Sequence, residues 1–251
     1  MTGRKYLDDI NWRSPPLARK LQYGRPMNPV RIAELLRPFI TLDPAIPADA
    51  LLLNQISSYL DLLVRWNARM NLTAIREPDA IITRHFGESL FAGKHVLLRK
   101  AATPPIHLID IGSGAGFPGL PMKLFSPTTR TTLIEANNKK ATFLREVIRS
   151  LELSEVEVIQ ARAEDTTVPA PSGRNLATLR AVERFDTILP TAIKMMTSTG
   201  TIALLIGQSQ YETIPHSGIE WSAPITIPHS KSRILLVGQR AYSPMSVIPE
   251  K

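Results

Sequence analysis

The chain of 251 residues contains no cysteine. Disulfides, cysteine-ligated zinc, iron–sulfur clusters and a thiol nucleophile are therefore excluded, and a reducing cytoplasm is the expected location. The chain also lacks any apolar run near the roughly 20 residues of a membrane helix. Its amino terminus has no apolar core of a secretion signal, so no membrane partner is expected. Aromatic residues make up only 6% of the chain, which argues against base stacking as the main mode of nucleic-acid binding.

The overall composition is that of a globular protein with a basic surface. Hydrophobic residues account for 43% and charged residues for 21% of the chain, which excludes general disorder. The 30 Lys and Arg against 22 Asp and Glu give a net charge of +8. Such a surplus favours a polyanionic partner, most often a nucleic acid.

The patterns along the chain divide it into three segments. Residues 1–29 are basic and contain prolines without sustained periodicity, and they form either a solvated tail or a basic arm that touches RNA. Residues 30–103 carry apolar side chains at steps of three and four, which predicts a helical lobe with its third helix over residues 79–98. Residues 104–251 form the remaining domain.

That last domain has the pattern of an α/β fold. A helical stripe over residues 138–151 lies between apolar runs that predict buried strands. Strands that alternate with helices predict a mostly parallel sheet covered by helices on both faces. Two later β-like stretches without a clear helix between them predict an antiparallel hairpin at the sheet edge. The five earlier runs are residues 106–112, 131–135, 156–160, 176–179 and 201–206, and the two later ones are 219–227 and 233–237.

The strongest chemical signal is a glycine-rich loop directly after the first of these strands. Residues 110–119 read Asp-Ile-Gly-Ser-Gly-Ala-Gly-Phe-Pro-Gly, and Gly112, Gly114 and Gly116 allow the backbone to turn sharply and approach a ligand. A dinucleotide-binding loop needs glycine where Phe117 stands, and a Walker loop needs lysine where Leu120 stands. The pattern is instead similar to the acidic-x-G-x-G-x-G loop of class I S-adenosylmethionine-dependent methyltransferases.

A carboxylate follows at the end of the next strand. Glu135 lies 23 residues beyond Gly112, where it can accept hydrogen bonds from both ribose hydroxyls of an adenosine. The alternative is that Glu135 caps the following helix near Asn137 and Asn138.

Other catalytic patterns are missing from the sequence. The five histidines show no metal-ligand spacing, so no metal is expected. No G-x-S-x-G nucleophile elbow is present either.

Several short motifs occur together along the chain. They are Trp66-Asn67, residues 71–76 with Pro78, Arg84-His85, Glu88-Ser89, the loop 110–119 with the Leu-Pro that follows it, residues 132–135, Lys139-Lys140 with residues 143–145, residues 160–164 and Leu179-Arg180-Ala181. With these motifs the chain resembles, from about residue 50 to residue 207, the bacterial small-subunit ribosomal RNA 7-methylguanosine methyltransferases, the RsmG or GidB family. Two departures from the family pattern are Glu88, where aspartate is usual, and Ile206, where lysine is usual.

The resemblance implies S-adenosylmethionine as cofactor and 16S ribosomal RNA, or the small ribosomal subunit, as partner. A monomer is expected. Glu135 would hold the ribose, Ala163 and Glu164 would meet the adenine, and Arg180 would reach the methionine end or the incoming guanine as the catalytic residue. Asp110, Gly112, Gly114, Gly116 and Phe117 would complete the cofactor site.

Several of these residues have a second interpretation. Arg180 is alternatively bound in a salt bridge to Glu183 or Glu164. The candidate RNA-binding residues are Arg84, Lys139, Lys140 and Arg145. Arg84 and His85 alternatively pin the helical lobe onto the sheet, and the other three alternatively lie on a solvated helix face.

The implied reaction agrees with the missing acid–base pair. The 7-position nitrogen of guanine has an exposed lone pair, so catalysis needs orientation, worth roughly 7–11 kcal/mol, and no general base. A methyltransferase with another substrate, or a non-catalytic RNA-binding relative of this fold, remains the alternative.

Overall fold

The structure, a computed structural model, describes residues 26–97, 105–166, 174–182, 184–214 and 218–241. The predicted basic extension therefore lies, up to residue 25, outside the described residues. The α-helices are α1 (Pro29–Leu36), α2 (Pro47–Met70), α3 (Pro78–Ile81), α4 (Glu88–Val96), α5 (Gly119–Phe125), α6 (Asn138–Ser150), α7 (Phe185–Lys194) and α8 (Gln208–Tyr211). The strands are β1 (His107–Ile111), β2 (Arg130–Ile134), β3 (Val156–Ile159), β4 (Asn175–Arg180), β5 (Thr201–Gly207), β6 (Ile219–Trp221), β7 (Ile225–Thr226) and β8 (Arg233–Arg240).

The helical lobe begins at a capped helix. The Asn28 side chain accepts a hydrogen bond from the backbone N–H of Val30 at 2.8 Å, and Pro29 occupies the first turn of α1, where no N–H partner is needed. The long helix α2 ends at Asn71, whose left-handed backbone (φ 48°) stops the helix.

The third helix of the lobe is present but is not regular. Instead of one α-helix it consists of α3, a π-helical segment Ile82–Gly87 and α4. A π turn places more residues in each turn than the three- and four-residue spacing assumes, so periodicity does not detect it. This turn contains Arg84 and His85, and it leads into Glu88.

The sheet has eight strands, seven of them in the order β3-β2-β1-β4-β5-β8-β6, with β7 also paired to β8. Strands β1 to β5 are parallel, and β8 runs antiparallel to β5, β6 and β7. The class I methyltransferase-like α/β fold is thereby confirmed. The antiparallel edge is confirmed too, although β8 lies between β5 and β6 instead of at the outer edge. The strand order reverses between β1 and β4, and ligands of open α/β sheets bind at the carboxyl ends of strands at such a switch point.

Hydrophobic cores lie on both faces of the sheet. Leu108, Leu133 and Leu176 point to the face that the helical lobe, α5 and α6 cover, and they share one core with the lobe. Alternate residues of the same strands, such as Ile109 and Ala177, point to the other face, where α7 packs. The lobe is thus a layer against the sheet, close enough to contribute side chains to the switch point. Within the described residues no helix has both the length and the apolar composition to cross a bilayer.

Candidate cofactor and substrate cleft

A cleft of about 490 Å³ opens at the switch point. Its walls come from the loop after β1, the tip of β2, the 3-10 turn Ala163–Asp165, the segment after β4 and the helical lobe. This volume lies within the range of roughly 300–1,000 Å³ that small-molecule sites occupy. The loop, the tip of β2 and the lobe each carry residues that the sequence singled out.

The glycine loop has the backbone conformation that its sequence predicts. Gly112 has φ +70°, and a Cβ atom there would lie 2.9 Å from the Val182 side chain. Gly116 has φ +91°, and a Cβ atom there would collide with the Tyr59 hydroxyl. Both positions therefore require glycine. Gly112 and Gly114 line the cleft, whereas Gly116 packs against the helical lobe.

Glu135 joins the glycine loop to the start of α6. One carboxylate oxygen accepts a hydrogen bond from Gly114 N–H at 2.8 Å, and the other accepts one from Asn137 N–H at 2.7 Å. The cap of α6 itself is the Asn137 side chain, which accepts from Lys140 N–H. Glu135 lines the cleft. Since an ionised carboxylate accepts about four hydrogen bonds, two positions remain for a ligand.

Asp110 lies beneath the loop and does not line the cleft. Its side chain is fully buried and accepts hydrogen bonds from Thr178 Oγ at 2.7 Å and Gly119 N–H at 3.2 Å. Burial raises the pKa of this carboxyl to about 6, although the hydrogen bond from Thr178 lowers it. The structure thus places this predicted cofactor residue as a support that ties the loop to β4 and α5.

Arg180 ends β4 and lines the cleft, but its guanidinium is largely engaged by the helical lobe. It donates to Glu88 Oε2 at 3.0 Å, to the Arg84 carbonyl at 2.6 Å and to His85 Nδ1 at 3.1 Å. The expectation of a salt bridge between Arg180 and Glu164 is wrong, because the Glu164 carboxylate pairs with Arg184 at 2.6 Å. The other expected partner, residue 183, lies outside the described residues.

Glu88 is the centre of this ionic cluster. Its side chain is 1% exposed and contacts three guanidinium groups, those of Arg84 at 3.3 Å, Arg180 at 3.0 Å and Arg233 at 2.7 Å. One buried carboxylate thus faces three cations, which leaves positive charge at the edge of the cleft. The His85 ring and the Arg84 carbonyl contact Arg180 of β4 and so join the lobe to the sheet, whereas the Arg84 guanidinium pairs within the lobe. An RNA contact of Arg84, which is half exposed, stays a prediction.

A stack of three rings connects the lobe to the glycine loop. Phe117 lies between Tyr59, at 5.4 Å and 4° between ring planes, and His85, at 4.8 Å and 21°. The buried Tyr59 hydroxyl donates to the Ala115 carbonyl in the loop. The sequence did not reveal this role, because Tyr59 is simply one member of the apolar stripe of α2.

His85 is held as a neutral imidazole. Burial, together with the nearby charges of Arg180 and Arg84, lowers its pKa to about 3. Its Nε2 lies 2.7 Å from the Thr73 hydroxyl, and both residues line the cleft. The sequence placed Thr73 in a family motif but assigned it no role.

The other predicted site residues divide into two groups. Ala163, Glu164 and Lys140 line the cleft. The pKa of Glu164 is lowered, mainly because its carboxylate accepts a hydrogen bond from the backbone N–H of the same residue. Lys139 and Arg145 lie exposed on α6, outside the lining.

Comparison with known proteins decides the family. The model of the family described as rRNA small subunit methyltransferase G, GidB, matches residues 52–230. The chain belongs to this family. The ribosomal RNA small subunit methyltransferase G of Chloroflexus aggregans is 40% identical over 200 residues, which cover 73% of this chain and 79% of that protein. The methyltransferase G of Xylella fastidiosa is 36% identical over 216 residues, 82% of this chain and 98% of that protein.

Among solved structures, a precorrin-6y C5,15-methyltransferase from Geobacter metallireducens is 16% identical, with a TM-score of 0.47 over 60% of this chain and 86% of that chain. A similarity at this level supports no statement about substrate. The resemblance seen in the sequence to the methyltransferase G family is confirmed by the family match.

The residues of the cleft fit S-adenosylmethionine, the cofactor of this family. The backbone at Gly112 and Gly114 faces the cleft without side chains, so a ligand can approach the loop closely. Glu135 offers unoccupied acceptor positions beside that loop, and Ala163 presents a small apolar surface for a ring. No group of three or more potential metal ligands lies together in the described ranges.

Proposed function

We propose that this protein methylates the 7-position nitrogen of a guanosine in 16S ribosomal RNA. The coarser activity follows from the family: the protein is an S-adenosylmethionine-dependent methyltransferase that acts on ribosomal RNA. The acceptor atom and the RNA are the finer part of the proposal. The chemistry of the cleft supports the atom, and the names that the family and its relatives carry support the small-subunit RNA.

The titratable side chains of the cleft support the proposal. Among the described residues that line the cleft, no side chain is arranged as a general base near neutral pH. His85 has a pKa of about 3 and its Nδ1 faces an arginine. Glu135 is bound by two backbone N–H groups, and the pKa of Glu164 is lowered. Such a cleft suits an acceptor that needs no deprotonation, and guanine N7 already carries a free lone pair.

Four residues that line the cleft have a role in cofactor binding in this proposal. The cofactor would supply a methyl group on a sulfonium sulfur, and the residues of the cleft would hold that carbon in line with the acceptor nitrogen, so that the carbon–sulfur bond can break and leave a neutral thioether. Glu135 binds the ribose hydroxyls with its free acceptor positions, and Ala163 and Glu164 border the adenine. Arg180, with Glu88 as counter-charge, keeps a cation where the methionine carboxylate needs one. The protein thus contributes mainly orientation, worth roughly 7–11 kcal/mol.

The RNA would meet the basic side chains beside the cleft. Lys139 and Arg145 are exposed on α6, and Lys140 lines the cleft. Phosphate neutralisation by such residues releases counterions, so RNA affinity should fall steeply between low and physiological salt while cofactor affinity changes little. The monomeric state and the cytoplasmic location expected from the sequence stay predictions.

Mapping of the methylated nucleotide tests the proposal. Small ribosomal subunits from a strain that lacks this gene are incubated with purified protein and methyl-tritiated S-adenosylmethionine, and the 16S RNA is digested and examined by mass spectrometry. We expect one 7-methylguanosine, and much less of it with Glu135→Ala at the same protein concentration and limiting S-adenosylmethionine. Naked 16S RNA in a parallel reaction distinguishes RNA from assembled subunit as substrate. Label in another nucleoside, or in protein, would contradict the proposal.

A further inference from the structure

We propose that Thr73 selects guanine in the substrate, because it lines the cleft and the acceptor positions of its hydroxyl group are already filled, which leaves that group to donate a hydrogen bond. This inference rests on the proposed function, and it assigns base specificity to a residue of the helical lobe.

Arg180 determines the direction of the hydrogen bonds that link it through His85 to Thr73. Its Nη1 lies 3.1 Å from His85 Nδ1, and a guanidinium has no acceptor. Nδ1 must therefore be the unprotonated nitrogen of the imidazole. The neutral state of His85, which its lowered pKa favours, leaves the proton on Nε2.

The same proton then determines what Thr73 does. Nε2–H of His85 donates to Thr73 Oγ at 2.7 Å, and the backbone N–H of Ile75 donates to the same oxygen at 3.1 Å. A hydroxyl has two acceptor lone pairs and one donor hydrogen. Both lone pairs are occupied, so the remaining function of Thr73 is to donate. Thr73 is partly exposed and lines the cleft.

A fixed donor distinguishes the two purines by their major-groove edges. Guanine presents two acceptors there, O6 and N7, whereas adenine presents N7 beside an amino group that donates. A hydroxyl that only donates can bond guanine O6, and it meets an adenine amino group with no acceptor to offer. A bond to O6 also orients the neighbouring N7. Thr73 would thus serve specificity and alignment at once.

The surroundings keep this donor in place. His85 is stacked on Phe117 at 4.8 Å between ring centroids, and Arg180 holds its other nitrogen. Thr73 and His85 belong to the lobe wall, whereas Glu135 and Ala163 belong to the strand-end wall. The strand-end wall is the part that fits the cofactor nucleoside, which leaves the lobe wall for the base.

The test compares two substrates in each variant. Small subunits are reconstituted with ligated 16S RNA that carries either guanosine or 2-aminopurine at the mapped position; 2-aminopurine keeps N7 and lacks O6. Thr73→Val is nearly isosteric and removes the donor, and Thr73→Ser retains it. Thr83→Val is the matched control, since Thr83 lies in the same lobe, outside the cleft lining, and bonds the Asp79 carbonyl.

We expect Thr73→Val to lower kcat/KM on guanosine by about tenfold, the effect of one neutral hydrogen bond in the transition state. The same variant should match the wild type on 2-aminopurine, where no O6 is present. Thr73→Ser and Thr83→Val should retain most of the guanosine rate. The ratio between the two substrates is measured within one protein sample, so partial unfolding of a variant does not affect it.

Three results would overturn the inference. They are an undiminished guanosine rate in Thr73→Val, an equal loss on both substrates, and a parallel loss of S-adenosylmethionine affinity by calorimetry, which would assign Thr73 to the cofactor. A wild-type reaction that forms no 7-methylguanosine would instead overturn the proposed function, and the inference with it.

Discussion

Glu88→Gln should destabilise the protein far more than a charge removal at the surface. The Glu88 side chain is 1% exposed, and its three partners Arg180, Arg233 and Arg84 are 12%, 27% and 46% exposed. Glutamine preserves the shape and one carbonyl acceptor but leaves Arg180 buried without a counter-charge. An uncompensated buried charge costs about 3–5 kcal/mol. Because Arg84 and Arg233 can turn to water, we take the lower value, about 3 kcal/mol.

The melting temperature measures this loss directly. For a chain of this size about 3 kcal/mol corresponds to a decrease of roughly 6–12 °C. Glu34→Gln is the matched control, because the Arg31–Glu34 pair is about half exposed on both sides and such pairs contribute at most about 1 kcal/mol. Urea unfolding of the three proteins should give the same order. A melting temperature of Glu88→Gln equal to that of Glu34→Gln would refute the argument that this cluster is desolvated.

The remaining predictions concern the cleft and its support. Glu135→Ala should weaken S-adenosylmethionine binding at least tenfold by calorimetry, since hydrogen bonds to a charged acceptor contribute about 1.5–3 kcal/mol each; unchanged affinity would remove the ribose role. Arg180→Ala should cut methyl transfer at least tenfold and also lower the melting temperature, because it leaves Glu88 without a buried partner, and Arg180→Lys should restore little activity without the planar fork. A fully active lysine variant would reduce Arg180 to simple charge. Asp110→Asn should gain stability relative to the wild type as pH rises from 4 to 6. The folded-state pKa of about 6 exceeds the unfolded value of about 3.9, so the folded wild type holds more protons in that window and loses stability as they dissociate. Parallel curves of unfolding free energy against pH would contradict this pKa.

Local sequence by itself determined the fold class and the strand-end wall of the cleft. Buried parallel strands are continuous apolar runs, and sharp turns need glycine, so β1, the loop at Gly112 and the carboxylate Glu135 are all readable within a few residues. The helix α6 was predicted within one residue for the same reason, since its apolar stripe is a local pattern.

Only the tertiary structure decided the lobe wall. Arg180 meets Glu88 across 92 residues, and Arg233 meets the same carboxylate across 145. No local pattern specifies which charged groups a fold brings together, and the π turn that carries His85 has no periodic signature. The direction of a hydrogen bond is even harder to predict from the sequence. Thr73 is a donor because its hydroxyl oxygen already accepts from the N–H groups of His85 and Ile75. The His85 proton lies on Nε2 because Arg180, at the end of β4, donates to Nδ1. A property of this kind belongs to the folded network, because it depends on where every neighbouring proton already lies.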